Sequence, residues 1–253
     1  MRNFARLFII VSVLAIFSTA CVAPFRPRLI RGSGNVIQED RDVSGFDRIL
    51  ISGAGKIILT QGDTESLSIE TDDNLMEYIS TEVKGDTLEI DFSDDIILSQ
   101  GGRDVLDPTD GFIFRIGVID LVSVSVSGAA NIQAEKLKSD EFAINFSGAG
   151  DIKIDDLNAN RVEVSVSGAG DVEMAGKVEH QKISLSGLGR LQAFDLESQT
   201  ASVIISGAGG ANLWVTDSLY VSISGAGDVE YYGKPSVDPE ISGLGRIQGL
   251  GEK

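Results

Sequence analysis

A tetrapeptide that returns at a nearly constant interval constrains this chain more than any other feature. Ser-Gly-Ala-Gly begins at Ser52, Ser147, Ser167, Ser206 and Ser224, with close variants at Ser127 (Ser-Gly-Ala-Ala), Ser186 and Ser242 (both Ser-Gly-Leu-Gly). From Ser127 onward the intervals are 20, 20, 19, 20, 18 and 18 residues. Such a period calls for one structural unit per interval. Upstream the match fades, but Arg31-Gly32-Ser33-Gly34-Asn35, Thr71-Asp72-Asp73-Asn74-Leu75 and Ser93-Asp94-Asp95-Ile96 fall close to the same phase and read as degenerate copies.

Alternation within the period says what each unit is. Val122, Val124 and Val126 precede one motif, Phe142, Ile144 and Phe146 the next, Val162, Val164 and Val166 the one after, with small or polar residues between them. Period two with β-branched residues is a strand with one buried face. The glycine pairs, Gly53 and Gly55, Gly148 and Gly150, Gly168 and Gly170, Gly187 and Gly189, Gly207 and Gly209, Gly225 and Gly227, Gly243 and Gly245, are read as structural corners whose backbone angles side chains resist. A second apolar position follows, at Ile132, Ile152, Val172, Leu191, Val229 and Ile247, and starts a second strand. Such a unit cannot bury its inner face alone; stacking buries it against the units above and below. The expected fold is all-β, a parallel β-solenoid with coils of 18–21 residues. An antiparallel sandwich would not need the same corner residues at the same phase. Residues 58–112 are less regular: Thr81 to Ile90 reads equally well as a hairpin around Gly85-Asp86, and Ser99 to Gly111 as a loop.

Composition removes several function classes. With 21 Lys and Arg against 38 Asp and Glu, the formal charge of −17 repels phosphate backbones, so no nucleic-acid partner is expected. One cysteine forms no intrachain disulfide, and one histidine supplies little metal or triad chemistry. That cysteine stands at a telling place. Arg2 and Arg6 precede an apolar run from Leu7 to Ala20, shorter than the roughly 20 residues a spanning helix needs, which is the anatomy of a secretory signal. Phe17-Ser18-Thr19-Ala20-Cys21 resembles the lipobox of bacterial lipoproteins, with Ser18 where that family usually carries Leu. The resemblance implies a signal peptide over residues 1–20 and a lipid on Cys21. Residues 21–31 then form a proline-containing tether, and residues 32–253 a single domain anchored to a membrane.

Catalytic and metal readings fare poorly. A nucleotide fingerprint occurs once, between a strand and a helix, whereas these glycine motifs recur with no helical pattern behind them. A repeated calcium site is not expected, because the position after the second glycine reads Asn131, Asp151, Asp171, Arg190, Gly210, Asp228 and Arg246, and guanidinium groups repel a cation. That column should instead compensate its own charge, Arg190 pairing with Asp171 and Arg246 with Asp228. The acidic pairs Asp72-Asp73, Asp94-Asp95 and Asp155-Asp156 lack the accompanying groups of a hydrolase, and His180 lies in a polar stretch. No cofactor is expected. One surface stands out. Aligning Leu191, Leu213 and Val229 as inward turns Trp214 outward, with Phe194 and Tyr232 beside it, and exposed aromatics of this kind stack on sugar faces. Burial of Trp214 by a one-residue slip at Gly210 is the competing arrangement.

Val43-Ser44-Gly45-Phe46-Asp47-Arg48-Ile49, the Gly62-Asp63 turn, Asp73-Asn74-Leu75 and the later Ser-Gly-Ala-Gly copies together resemble the head GIN domain family of autotransporter-adhesin heads, from Val43 to Ile247. The resemblance implies a right-handed parallel β-helix. An autotransporter carries a C-terminal membrane barrel and this chain stops at Lys253, so adhesion by that export route is not expected. The expected function is a lipid-anchored, extracytoplasmic, non-catalytic binding module of adhesin type at a bacterial envelope, plasma or outer membrane, with a glycan or an envelope protein as partner. A passive spacer and a polysaccharide-active β-helix enzyme are the alternatives.

Overall fold

The computed structural model describes residues 28–93, 96–99 and 111–253. The signal segment 1–20, Cys21, most of the tether and most of the loop expected between Ser99 and Gly111 lie outside them. In chain order the strands are β1 (Arg28–Arg31), β2 (Val36–Arg41), β3 (Arg48–Gln61), β4 (Ser66–Asp72), β5 (Ile79–Lys84), β6 (Thr87–Phe92), β7 (Ile96–Ser99), β8 (Ile113–Val118) and β9 (Ser123–Ala134). They continue as β10 (Leu137–Ala149), β11 (Ile152–Val166), β12 (Ala169–Leu185), β13 (Leu188–Ile205), β14 (Gly210–Ile223), β15 (Asp228–Tyr232), β16 (Ser236–Ile241) and β17 (Arg246–Gly249). A 3-10 turn at Met76–Tyr78 is the one helical element among the described residues.

From β9 to β17 the pairing is parallel throughout, and each coil stacks on the previous one in the register that the repeat sets. Val124, Ile144, Val164, Ile183, Val203 and Val221 form one inward column, and all are buried. After the motif Ile132, Ile152, Val172, Leu191, Ala211 and Val229 form another. Burying each larger side chain contributes about 1.5–3 kcal/mol, so these columns are the main adhesive of a parallel β-solenoid. The second column differs at one place from the expected alignment. Ala211, not Leu213, lies level with Leu191 and Val229.

Glycine is required at the corners for a second reason beside the one read from the sequence. A Cβ on Gly148 would stand 1.8 Å from the carbonyl oxygen of Gly128, and one on Gly168 would stand 2.0 Å from that of Gly148. The same clash recurs at 1.9–2.0 Å for Gly187 on Gly168, Gly207 on Gly187, Gly225 on Gly207 and Gly243 on Gly225. Left-handed angles do occur early, as at Gly128 and Gly150 (φ 135° each), but from Gly168 on the motif glycines have no positive φ. From Gly168 on, close approach of stacked backbones rather than conformational freedom keeps the column free of side chains.

Upstream of β9 the repeat gives way to a different construction. β5 and β6 form an antiparallel hairpin around Gly85 (φ 64°), β6 continues as a parallel neighbour of β3's first half, and β8 pairs with β3's second half. β4 runs antiparallel to β8, and β2 antiparallel to β4, closing this end. The coil starting at Ser52 therefore stacks directly on the one at Ser127 across a long excursion. The expected degenerate copies at Ser33 and Asp73 are not coil corners. They clamp each other: Ser33 Oγ and Asn35 Nδ2 donate to the Asp73 carboxylate at 2.5 and 2.9 Å, and Asn74 Nδ2 donates to the carbonyl of Arg31 at 2.9 Å. The end of the expected tether is likewise structured, since Arg28–Arg31 pair in parallel with Ile96–Ser99.

Candidate functional site

Three adjacent strands, β13, β14 and β15, present one continuous outer face. Gly210 lies between Arg190 and Asp228, and Asn212 between Gln192 and Glu230. Trp214 is level with Tyr232, one row closer than the sequence alignment placed it. Buried Leu213 and Val215 flank Trp214, so alternation turns the indole outward, and no slip occurs at Gly210 because it pairs with Arg190. Phe194 reaches the same row from a bulge: Ala193 pairs with Leu213 but the next partner of β14 is Glu197. The Phe194 and Tyr232 ring centroids are 5.0 Å apart, tilted by 60°. Phe194, Trp214 and Tyr232 are each half-buried, and the structure brings all three together.

Lys253, which no sequence feature places here, completes the row. Its Nζ sits 4.8 Å from the centroid of the Trp214 ring and donates to the Phe194 carbonyl at 2.6 Å and to Asp195 Oδ1 at 2.5 Å. The tail is guided there by backbone pairing, Leu250 to the carbonyl of Tyr231 and Gly233 to that of Gly251, each at 2.8 Å. Only the strand register of the last coil, which returns the tail beside β15, could have revealed this contact.

Beyond the aromatic row the face dips. Arg190, Gly210, Asn212, Asp228, Glu230 and Leu244 are among the residues around an open concavity of about 570 Å³. Gly210 makes the dip, because every other occupant of its column except at this position carries a long or branched polar side chain. Arg190 Nε lies 4.0 Å from the place a Cβ on Gly210 would occupy, so its side chain borders the gap.

The remainder of that column departs from the expected charge pairing. Arg246 does approach Asp228, at 3.8 Å. Arg190 is in register with Asp171, yet its side chain makes no ion pair or hydrogen bond among the described residues. The ladder is relieved by amides instead: Asp151 N–H donates to Asn131 Oδ1 and Asp171 N–H to the Asp151 carboxylate, each at 3.0 Å, while Asp171 Oδ2 accepts from Gln192 Nε2 at 3.5 Å. A side-chain oxygen that accepts from the next coil's backbone needs no cation above it.

The acidic pairs are engaged locally. Asp155 lies 3.5 Å from Lys153 and Asp156 3.0 Å from Lys136. Hydrogen bonds from Asn35 and Ser33 hold the Asp73 carboxyl below its usual range. Asp94-Asp95 lies outside the described residues. His180 Nδ1 is 2.8 Å from Thr200 Oγ1 on the next coil, an inter-coil contact. Among the described residues no group of three or more His, Cys, Asp or Glu is placed to hold a metal ion, and no helix is long and apolar enough to cross a membrane.

Comparison with known proteins fits this architecture. A crystal structure of a protein from Bacteroides fragilis, described as a putative adhesin, superposes with a TM-score of 0.79 at 24% identity, over 87% of this chain and 100% of that one. A protein from Parabacteroides distasonis, described as a putative lipid binding protein, gives 0.72 at 23% identity over 88% and 100% of the two chains. One from Parabacteroides merdae, also described as a putative adhesin, gives 0.65 at 21% over 88% and 99%. At these identities the likeness establishes the fold. No curated protein matches the chain. Residues 45–235, well over half of the sequence, match the family model described as "Putative auto-transporter adhesin, head GIN domain", and the chain belongs to that family.

Proposed function

We propose that this protein is a lipid-anchored, extracytoplasmic binding module that recognises glycan through the row formed by Phe194, Trp214 and Tyr232. The carrying observation is the convergence of these three half-buried rings on one outer face in a chain with only 6% aromatic residues. Sugar rings stack on such surfaces through their apolar C–H faces, while amide and carboxylate side chains beside them take the hydroxyls. Gln192, Asn212 and Glu230 stand in the adjacent row for that task. The family description as an adhesin head supports binding over catalysis. Attachment to the membrane rests on the lipobox-like Phe17–Cys21 segment and is carried by Cys21.

Trp214 is the sole tryptophan, so its emission reports directly on the site. Full-length protein in detergent should bind members of an oligosaccharide array, and the hits should change Trp214 emission on titration. The Trp214→Ala, Tyr232→Ala double variant should lose those hits; unchanged binding by that variant would falsify the reading. Membrane attachment is tested separately. Cys21→Ser should move the protein from the membrane to the soluble fraction, and continued membrane association would remove Cys21 as the anchor.

A further inference from the structure

We propose that the glycan is acidic, and that a sugar carboxylate is received by Arg190 at the concavity made by Gly210. The inference rests on the glycan reading above and names its ligand class. Arg190 stands in a chain with 38 acidic and 21 basic side chains, where seven of the nine described lysines have a carboxylate partner, among them Lys153 with Glu173 at 2.9 Å and Lys182 with Glu163 at 2.7 Å. It has an in-register acid, Asp171, and makes no pair with it. The Asp171 carboxylate takes its hydrogen bond from elsewhere, accepting from Gln192 Nε2 at 3.5 Å. The guanidinium is thereby left with its planar fork of donors uncommitted at the rim of an open concavity.

The position of that fork defines the ligand. Gly210, Asn212 and Trp214 alternate outward along β14, so Gly210 lies four residues, roughly 13 Å, from the indole. An oligosaccharide of about three units spans such a distance, with one ring on the aromatic row, hydroxyls facing Asn212 and Glu230, and the last unit over Gly210. A carboxylate on that unit meets Arg190 in the two-point geometry guanidinium favours. Asp228 and Glu230 also border the concavity and oppose an anion there, and Arg246, 3.8 Å from Asp228, offsets part of that opposition. The chain's overall negative charge acts against acidic ligands generally and is screened beyond about 8 Å at physiological salt, whereas a contact pair with Arg190 is not.

The test titrates full-length protein with a neutral trisaccharide, the same trisaccharide ending in a uronic acid, and the free uronic acid, following Trp214 emission and calorimetry. The uronate-ended trisaccharide should bind about tenfold tighter than the neutral one, and free uronic acid far more weakly than either. Arg190→Gln should erase the preference, bringing the uronate-ended trisaccharide down to the affinity of the neutral one. Arg190→Lys should restore part of it. Gly210→Val, which fills the gap, should also erase it. Equal affinity of the wild type for both trisaccharides, or a preference that survives Arg190→Gln, overturns the acidic-ligand inference and leaves the aromatic platform standing. Binding by neither trisaccharide overturns both.

Discussion

At Gly148 the atoms nearest a hypothetical Cβ belong to the backbone of Gly128, one coil below; at Gly53 they belong to the ring of Phe92, 2.2 Å away. The same residue type thus answers two different neighbours. In the coils from Ser123 onward the first glycine of each motif faces its own counterpart one coil below, and the inward column Val124, Ile144, Val164, Ile183, Val203 and Val221 is aliphatic throughout. At the closed end, chemically unlike residues meet: Phe92 packs edge-on to Phe112 and Phe114, with centroids 5.0 and 6.2 Å apart, and fills the space that a further coil would have occupied. An array solved by translation needs a terminus solved by other means, because its last coil otherwise exposes a core cross-section. Here the hairpin, β8 and β4 cover that cross-section on one side. At the other side the last coil is more exposed, with Ile241 of β16 46% and Leu244, in the corner before β17, 87% accessible.

The largest effect should come from opening the closed end. Phe114 is fully buried, and Phe114→Ala should cost about 3–5 kcal/mol in urea unfolding. Far-UV dichroism reports on all strands and Trp214 emission on the distant coils. Coincident transitions would mean that cap and coils unfold as one unit; a Trp214 transition left at its wild-type midpoint would show the coils to be an array independent of the cap.

A second comparison separates the two kinds of glycine. Gly168→Ala drives a methyl into the Gly148 carbonyl at 2.0 Å, where only backbone displacement gives relief, and should cost about 1–3 kcal/mol or more. Gly53→Ala meets the Phe92 ring, a half-buried side chain that can turn aside, and keeps only the strain of a φ of 150° that a side chain resists, so it should cost less. Equal losses would show that both sites are limited by backbone geometry and not by what lies against them.

This difference also explains how far the sequence could be read. Self-similar contacts leave a periodic trace, so Val124, Ile144 and Val164 announced their column, and the paired glycines announced the phase. The closed end has no period to detect, because Phe92 and Gly53 are unlike partners brought together across the hairpin. Ser33 and Asp73 looked like fading repeats, since the small and polar residues that suit a corner also suit a clamp. At the candidate site Trp214 was placed outward correctly because an error of two residues at Leu213 preserves the face of a strand. Its level with Tyr232 and its contact with Lys253 depended on a bulge at Phe194 and on the path of the tail, neither of which alternation encodes.

The Ser33–Asp73 clamp supplies a smaller effect, specific to the closed end. Its carboxyl titrates below the ordinary 3.8 because Asn35 and Ser33 donate to the charged form. The linked stability is therefore present above about pH 3.8 and is lost as pH falls through the lowered value in the folded protein. Faster amide exchange at Ser33 and Asn35 should appear in that acidic window before the coil amides respond. Asp73→Asn should remove this pH dependence; an unchanged acid response in that variant would assign it to other carboxylates.

The smallest effect belongs to the tail. Lys253 holds its ammonium against the indole of Trp214 while bonded to Asp195 and to the Phe194 carbonyl. A cation over an aromatic face contributes about 0.5–1 kcal/mol at an exposed site, and a largely solvent-facing carboxylate pair adds little. Lys253→Ala should therefore leave the unfolding midpoint almost unchanged, because the buried columns beneath Trp214 are untouched. It should nonetheless be visible locally, since removing the chain over the indole admits water and shifts the sole tryptophan's emission to the red. The consequence for binding has a definite sign. The face that Lys253 occupies is one a sugar would use, so the variant should bind the array's neutral oligosaccharides at least as well as wild type. Weaker neutral binding would instead make Lys253 a contributor to the ligand surface, with its ammonium donating to a sugar hydroxyl at the edge of the aromatic row.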